Sequence, residues 1–216
     1  MMDPLILADP GLKASDPKPP GLIIGLGNPG NEYCAHRHNI GIQIVEALAR
    51  SHGLTFSRQK TMRARVASGQ IGDQPVLLAK PLTFMNLSGR AAGRLCRAHE
   101  VPPERMLVVL DDLDLPLGRL RLRPEGGSGG HKGMRSIIQA LGTQAYPRLR
   151  VGIDRPEGGT DPAEYVLQPF TEEEKLLLTE IVNRAVQAIE CWVAEGMVPA
   201  MDEFNRTVPQ AEADRV

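Results

Sequence analysis

From residue 22 to residue 153, short apolar runs of strand length alternate with segments of helical period, and this alternation restricts the fold more than any other feature. Parallel strands need a crossover, and the crossovers available here are helical. Leu22-Ile23-Ile24-Gly25-Leu26 reads as a buried strand ended by the turn Gly27-Asn28-Pro29-Gly30. Ile40, Ile44, Val45 and Leu48 then share one face of a helix starting near Asn39, with Gly53 beyond its end as a C-cap. Residues 65–71 and 75–79 predict a hairpin about Gly72-Asp73, and Leu87, Ala91 and Leu95 share a helical face. Residues 106–110 form an apolar strand that ends on Asp111-Asp112-Leu113-Asp114; residues 119–123 alternate as a half-exposed strand does. Met134, Ile137, Ile138 and Leu141 mark a short amphipathic helix, and Leu149, Val151 and Ile153 another strand. Thr171 and Glu174 form a capping box opening a long helix, whose core face is predicted to be Leu177, Ile181, Ala185, Ala188 and Trp192, up to Gly196. The expected class is α/β: a single domain with a mixed, mostly parallel twisted sheet and helices on both faces. Its expected span is residues 21–207, after a mobile extension over residues 1–20 and before a tail over residues 208–216.

A chain of 216 residues buries roughly 70 % of its unfolded surface, enough for one sizeable core. Cys34, Cys96 and Cys191 are odd in number and widely spaced, which favours neither a disulfide framework nor a zinc site and fits a reducing compartment. No apolar run reaches the roughly 18 residues of a membrane span, and the opening residues are acidic (Asp3, Asp9, Asp16) rather than basic, so a cytoplasmic protein is expected. The net charge of −1 argues against a uniformly basic surface, but the charge is segregated. Residues 119–150 carry Arg119, Arg121, Arg123, Lys132, Arg135, Arg148 and Arg150 against the single acid Glu125, whereas acids dominate after residue 154. That pattern suits either phosphate binding at one place or an ordinary solvated face.

Gly25-Leu26-Gly27-Asn28-Pro29-Gly30 matches the dinucleotide fingerprint in letters only. Pro29 removes an amide, and the polar run up to His38 delays the helix that should receive a pyrophosphate. The glycines are read instead as serving a tight turn and close backbone approach to another ligand. His36 and His38 lie in this loop, at the strand edge where open α/β sheets place their sites. A histidine base needs a group that fixes its tautomer, and Asp111 is the candidate if its strand neighbours the first; a surface histidine and a turn aspartate are the plainer alternative. His36 and His38 with Asp111, Asp112 and Asp114 also admit a divalent metal, although their spacing matches no recognised ligand set and Arg37 between the histidines would repel a cation. The loop over residues 126–133 precedes a helix, so its amides and the helix N-terminus suit a phosphate, with Lys132, Arg121, Arg123, Arg148 and Arg150 adding charge; a flexible connection is the alternative.

Taken together, Gly25-Leu26-Gly27-Asn28-Pro29-Gly30, Tyr33, Arg37-His38-Asn39, Pro81-Leu82-Thr83-Phe84-Met85-Asn86-Leu87-Ser88-Gly89, Asp111-Asp112-Leu113-Asp114-Leu115-Pro116, Gly129-Gly130-His131 and Arg148-Leu149-Arg150-Val151-Gly152-Ile153 resemble the bacterial peptidyl-tRNA hydrolase family. The resemblance runs from about residue 22 to 206 in the family's order. It implies hydrolysis of the ester between peptide and tRNA, recycling tRNA from stalled translation, with His38 as the base and Asp111 supporting it. It further implies that Asn28 senses the acylated amino group, and that Tyr33, Phe84 and Asn86 contact the tRNA end. Phe84 could instead be core and Asn86 a cap. Arg123 and Arg150 fall where the family carries basic residues for the acceptor stem. Lys132 departs from the family, which carries asparagine there, and would replace an orienting amide with charge. The partner it implies is peptidyl-tRNA, through its acceptor end and stem; no metal or other cofactor and no membrane are expected, and a monomer is. Two rivals use the same residues: a non-catalytic RNA-binding protein of this fold, and a metal-dependent hydrolase of a phosphorylated small molecule.

Overall fold

The expected first strand forms as β1 (Gly21–Gly25), buried throughout, at the middle of a seven-stranded sheet. The computed structural model describes residues 19–156 and 158–206; all but the last two residues of the expected N-terminal extension, and the whole expected C-terminal tail, lie outside them. β4 (Gln74–Pro81) and β5 (Met106–Asp112) flank β1 in parallel, and β7 (Arg148–Gly152) lies parallel beyond β5. The edges run antiparallel. β3 (Ala64–Ile71) folds back on β4 about Gly72, with β2 (Ser57–Gln59) beyond it, and β6 (Leu120–Arg123) pairs with β7. The order is β2-β3-β4-β1-β5-β7-β6, a mixed sheet with a parallel centre.

Side-chain alternation divides the core into two layers. Leu22 and Ile24 of β1, with Met106, Val108 and Leu110 of β5, pack under α2 (Ser88–Ala98) and α3 (Lys132–Leu141). Ile23, Leu107 and Val109 point to the opposite face, covered by α1 (Ile40–Ser51), α5 (Glu172–Glu195) and α6 (Met197–Phe204). Central strands buried on both faces explain why β1 and β5 read as continuous apolar runs. Each fully buried Leu or Ile contributes roughly 1.5–3 kcal/mol, so both layers hold the sheet.

Several elements depart from expectation. β2 is the polar triplet Ser-Arg-Gln at an edge, formed by pairing with β3 and carrying no apolar signal. α5 opens with the expected capping box, yet Leu177 is 50 % exposed and the fully buried face begins only at Ile181. Helical period tells which side of α5 is apolar, not where along its axis the core begins. Gly196 (φ 93°) then ends α5, and α6 follows. α6 leads to Asn205, whose side-chain amide accepts from Leu122 N (2.7 Å) and donates to Leu122 O (3.1 Å), closing the open edge of β6.

Gly25 and Gly41 allow close approach of the protein's own backbone segments. Gly30 (φ 126°) does supply the expected turn. A Cβ on Gly25 would lie 2.3 Å from Gly41 O, and one on Gly41 2.3 Å from Val109 O, so the first turn of α1 rests directly on the ends of β1 and β5. Gly25→Ala should therefore cost roughly 3 kcal/mol, the upper end of overpacking. A thermal melt should show a fall of about 6–12 °C; an unchanged melt would contradict that backbone contact.

Candidate active site

Between β1 and α1 the chain makes two 3-10 turns, Asn31–Tyr33 and Arg37–Asn39, and the second carries His38. The segment before α5 clamps it: Arg37 N donates to Gln168 O (3.0 Å) and His38 N to Val166 O (2.9 Å). Arg37 does not face a site between two histidines. It is 3 % exposed, donates to Pro169 O (2.6 Å) and Glu174 Oε2 (2.5 Å), and stacks over Tyr165 of α4 (Pro162–Tyr165) at 4.2 Å. The same Glu174 oxygen accepts from Thr171 N (2.6 Å), so the capping box of α5 also anchors the histidine loop. His36 turns aside to meet Tyr33 edge-on, ring centroids 5.4 Å apart.

β1 and β5 are neighbours, with Gly25 beside Val109, so Asp111 emerges on the edge where His38 sits. Both Asp111 carboxylate oxygens lie 2.9 Å from His38 Nδ1, and Oδ1 lies 3.2 Å from His131 Nε2. The tautomers follow from the partners. His131 Nδ1 accepts from Gly133 N (3.1 Å) and Met134 N (3.3 Å), capping α3, so its proton is on Nε2 and points at Asp111. An ionised Asp111 only accepts, so His38 donates through Nδ1 and its Nε2 is left with a lone pair. Burial alone would raise Asp111, but the facing imidazoles of His38 and His131 outweigh it and hold the carboxyl well below the usual carboxylate range. The His131 contribution was not expected from sequence. Its one signal was a histidine immediately before an apolar helical period.

His38, Asp111 and His131 offer three donor atoms within 4.8 Å of one another. They do not suit a cation: His131 Nε2 carries a proton, and the other contacts are hydrogen bonds at 2.9 Å already occupied by an N–H. Asp112 and Asp114 turn to arginines instead, Asp112 pairing with Arg150 and Asp114 with Arg155.

The histidine edge opens on a cleft of about 1190 Å³ lined by Asn28, His38, Phe84, Asn86, Asp111, Arg123, Lys132 and Arg150 among others. Tyr33 lies outside this lining. Asn28 is held at three points: its N–H donates to Asn39 Oδ1, its carbonyl accepts from Asn39 Nδ2, and its Oδ1 accepts from Met85 N, each at 2.9 Å. Only the two protons of Asn28 Nδ2 remain to be offered. Asn39, 2 % exposed, is a positioning residue that sequence alone did not single out. Phe84 is 55 % exposed, so it is not core, and Asn86 makes no capping hydrogen bond to α2.

The peptidyl-tRNA hydrolase family matches residues 22–213 of this chain. The chain belongs to that family. It is 50 % identical over 185 residues to the peptidyl-tRNA hydrolase of Chloroflexus aggregans, covering 85 % of this chain and 98 % of the relative. It is 48 % identical over 195 residues to that of Roseiflexus castenholzii, covering 90 % and 91 %. The crystal structure of peptidyl-tRNA hydrolase from Acinetobacter baumannii superposes with a TM-score of 0.82 at 34 % identity, covering 88 % of this chain and 96 % of that one.

In this member of the peptidyl-tRNA hydrolase family the basic face is narrower than its sequence suggests. Arg148, 3 % exposed, donates to Tyr146 O (3.0 Å), Gln144 O (2.9 Å) and Gly126 O, so it shapes the glycine loop from within. The N-terminus of α3 is no phosphate cradle either, because His131 takes the amides of Gly133 and Met134. Arg119 donates to Asn205 O. What remains at the cleft is Arg123 and the exposed Lys132 at the start of α3, with Arg150 paired to Asp112 and Arg155 to Asp114 beside them. Arg121 is pushed below its ordinary value, first by Arg123, then by slight burial, Arg150 and Arg119, a mark of how closely these cations crowd the sheet edge.

Proposed function

We propose that the cleft hydrolyses the ester between peptide and terminal ribose of peptidyl-tRNA, with His38 Nε2 as the base and without a metal. Membership of the family makes the chain a hydrolase of peptidyl-tRNA; the mechanism rests on one observation, that Asp111 and His131 leave His38 only Nε2 with which to take a proton. His38 removes a proton from water, the oxygen adds to the ester carbonyl, and the C–O bond to ribose breaks as the proton passes to the ribose oxygen. Free peptide and tRNA result. The exposed Asn86 amide polarises the carbonyl in this reading. Arg123, Arg150 and Lys132 meet phosphates of the acceptor end and stem, and Phe84 and Tyr33 offer flat faces to the tRNA terminus.

Asn28 supplies the selectivity, because an amide with only N–H left donates to a peptide carbonyl and repels a free ammonium. Asn28→Asp keeps the acceptor for Met85 N but loses that donor. It should lower kcat/KM on peptidyl-tRNA by roughly 10- to 100-fold, the cost of a hydrogen bond left unmade, with an unchanged melting temperature. Steady-state kinetics on purified peptidyl-tRNA checks this.

No helix among the described residues is long and apolar enough to cross a membrane, and all three cysteines are free. We infer a cytoplasmic monomer that recycles tRNA from stalled translation. Peptide release from purified peptidyl-tRNA should survive an excess of chelator. Release abolished by chelator and restored by a divalent ion would sink the metal-free reading; a folded chain that binds tRNA without releasing peptide would leave an RNA-binding role.

A further inference from the structure

Helix α2 turns a row of arginines to solvent. Arg90, Arg94 and Arg97 stand at i, i+4 and i+7, one helical face about 10 Å long, opposite the buried Ala91, Ala92 and Leu95. Arg63 joins them from the turn before β3, where it holds a positive φ of 53°. Together they line a groove of about 540 Å³ that contains no acidic residue. Among the described residues, none of the four forms an ion pair; the one polar contact of their side chains is Arg94 to Thr61 O (2.6 Å).

The floor of the groove is backbone. A Cβ on Gly89 would lie 2.0 Å from Ser136 O, and Gly89 N donates to Ser136 Oγ (3.0 Å), so α2 and α3 meet closely, with the small side chains of Ser136 and Ala140 at the contact. The floor is therefore small and polar, with guanidinium groups standing at its wall. Like charges spaced i, i+4 repel and cost the free protein stability, a cost that a polyanion in the groove would reverse. The groove also shares Asn86 with the catalytic cleft, so the two adjoin there.

We infer that the α2 groove binds the sugar-phosphate backbone of the same tRNA whose acylated end lies in the cleft, at phosphates beyond the terminal nucleotides. This rests on the proposed function and adds to it a second phosphate site, in the groove that adjoins the cleft at Asn86. Arginine forks suit phosphate oxygens, and a backbone contact reads no sequence, as an enzyme acting on every tRNA requires.

The test compares two substrates: full-length peptidyl-tRNA, and an N-acetyl-aminoacyl ester of adenosine, which carries no phosphate for the groove to bind. Arg90→Gln/Arg97→Gln, at two exposed positions, should raise KM for the full-length substrate by about tenfold or more. It should also flatten the dependence of log kcat/KM on log salt by roughly 1–2, with kcat and cleavage of the short ester unchanged. Arg90→Lys/Arg97→Lys, which keeps the charge, should recover most of the loss. An unchanged KM and salt slope on full-length substrate would overturn the inference, as would an equal loss on both substrates. A native chain that cleaves neither substrate would overturn the proposed function and this inference with it.

Discussion

Replacing His38 by alanine should lower kcat on peptidyl-tRNA by about 10²–10⁴-fold, the range supplied by a positioned general base, while KM changes little. The separation is expected because His38 makes no binding contact that the cleft cannot supply otherwise; its Nδ1 is spent on Asp111. The fold should survive the change. Asp111 retains the N–H of His131 at 3.2 Å, and the loop stays clamped through Arg37, whose bonds to Pro169 O and Glu174 do not involve the imidazole. Single-turnover release of peptide measures the effect without interference from product release. A loss smaller than about tenfold would mean that some other group activates the water.

Asp111→Asn should be nearly as damaging, by forcing the wrong tautomer. An amide has one accepting oxygen and one donating nitrogen. His131 cannot change its tautomer, since Gly133 N and Met134 N fix its Nδ1 as an acceptor, so the amide oxygen must meet His131 Nε2–H. The amide NH₂ then faces His38 Nδ1 and drives the proton of His38 to Nε2, where it can no longer take one from water. A loss in kcat on the order of 10³–10⁴ is expected, the scale known for a catalytic histidine held in the wrong tautomer. Stability should show the same pairing. A carboxyl held below its ordinary range stabilises the fold above its unfolded pKa and loses that stabilisation as pH falls through the folded value. The native chain should therefore be more stable than Asp111→Asn at neutral pH, by a margin that shrinks below about pH 4. Denaturant melts at several pH values check this; a margin that grew toward acid would contradict the pairing.

Much of this was legible before any coordinates. Periodicity located α1, α2, α3 and α5, and apolar runs located β1 and β5, because burial on both faces leaves no room for polar residues there. The pairing of His38 with Asp111 followed from one assumption, that β5 neighbours β1, which the sheet order bears out. What stayed hidden depended on contacts between distant segments. His131 is one residue of a glycine loop in sequence; only the return of that loop over β5 brings it to Asp111. Arg37 and Arg148 look like solvent-facing charges, yet carbonyls, Glu174 and aromatic rings between 2 and 137 residues away absorb them, which no periodic pattern records. β2 and α6 were missed for the converse reason, since tertiary pairing forms them without a strong local signal.

The measurement that bears most directly on the account is the tautomeric state of the two histidines, read by ¹⁵N NMR of the side chains at a pH where both rings are neutral. The account predicts opposite tautomers: His38 protonated on Nδ1 with Nε2 free, and His131 protonated on Nε2 with Nδ1 accepting from the start of α3. A His38 ring found protonated on Nε2 would contradict it, because that nitrogen could not then serve as the base.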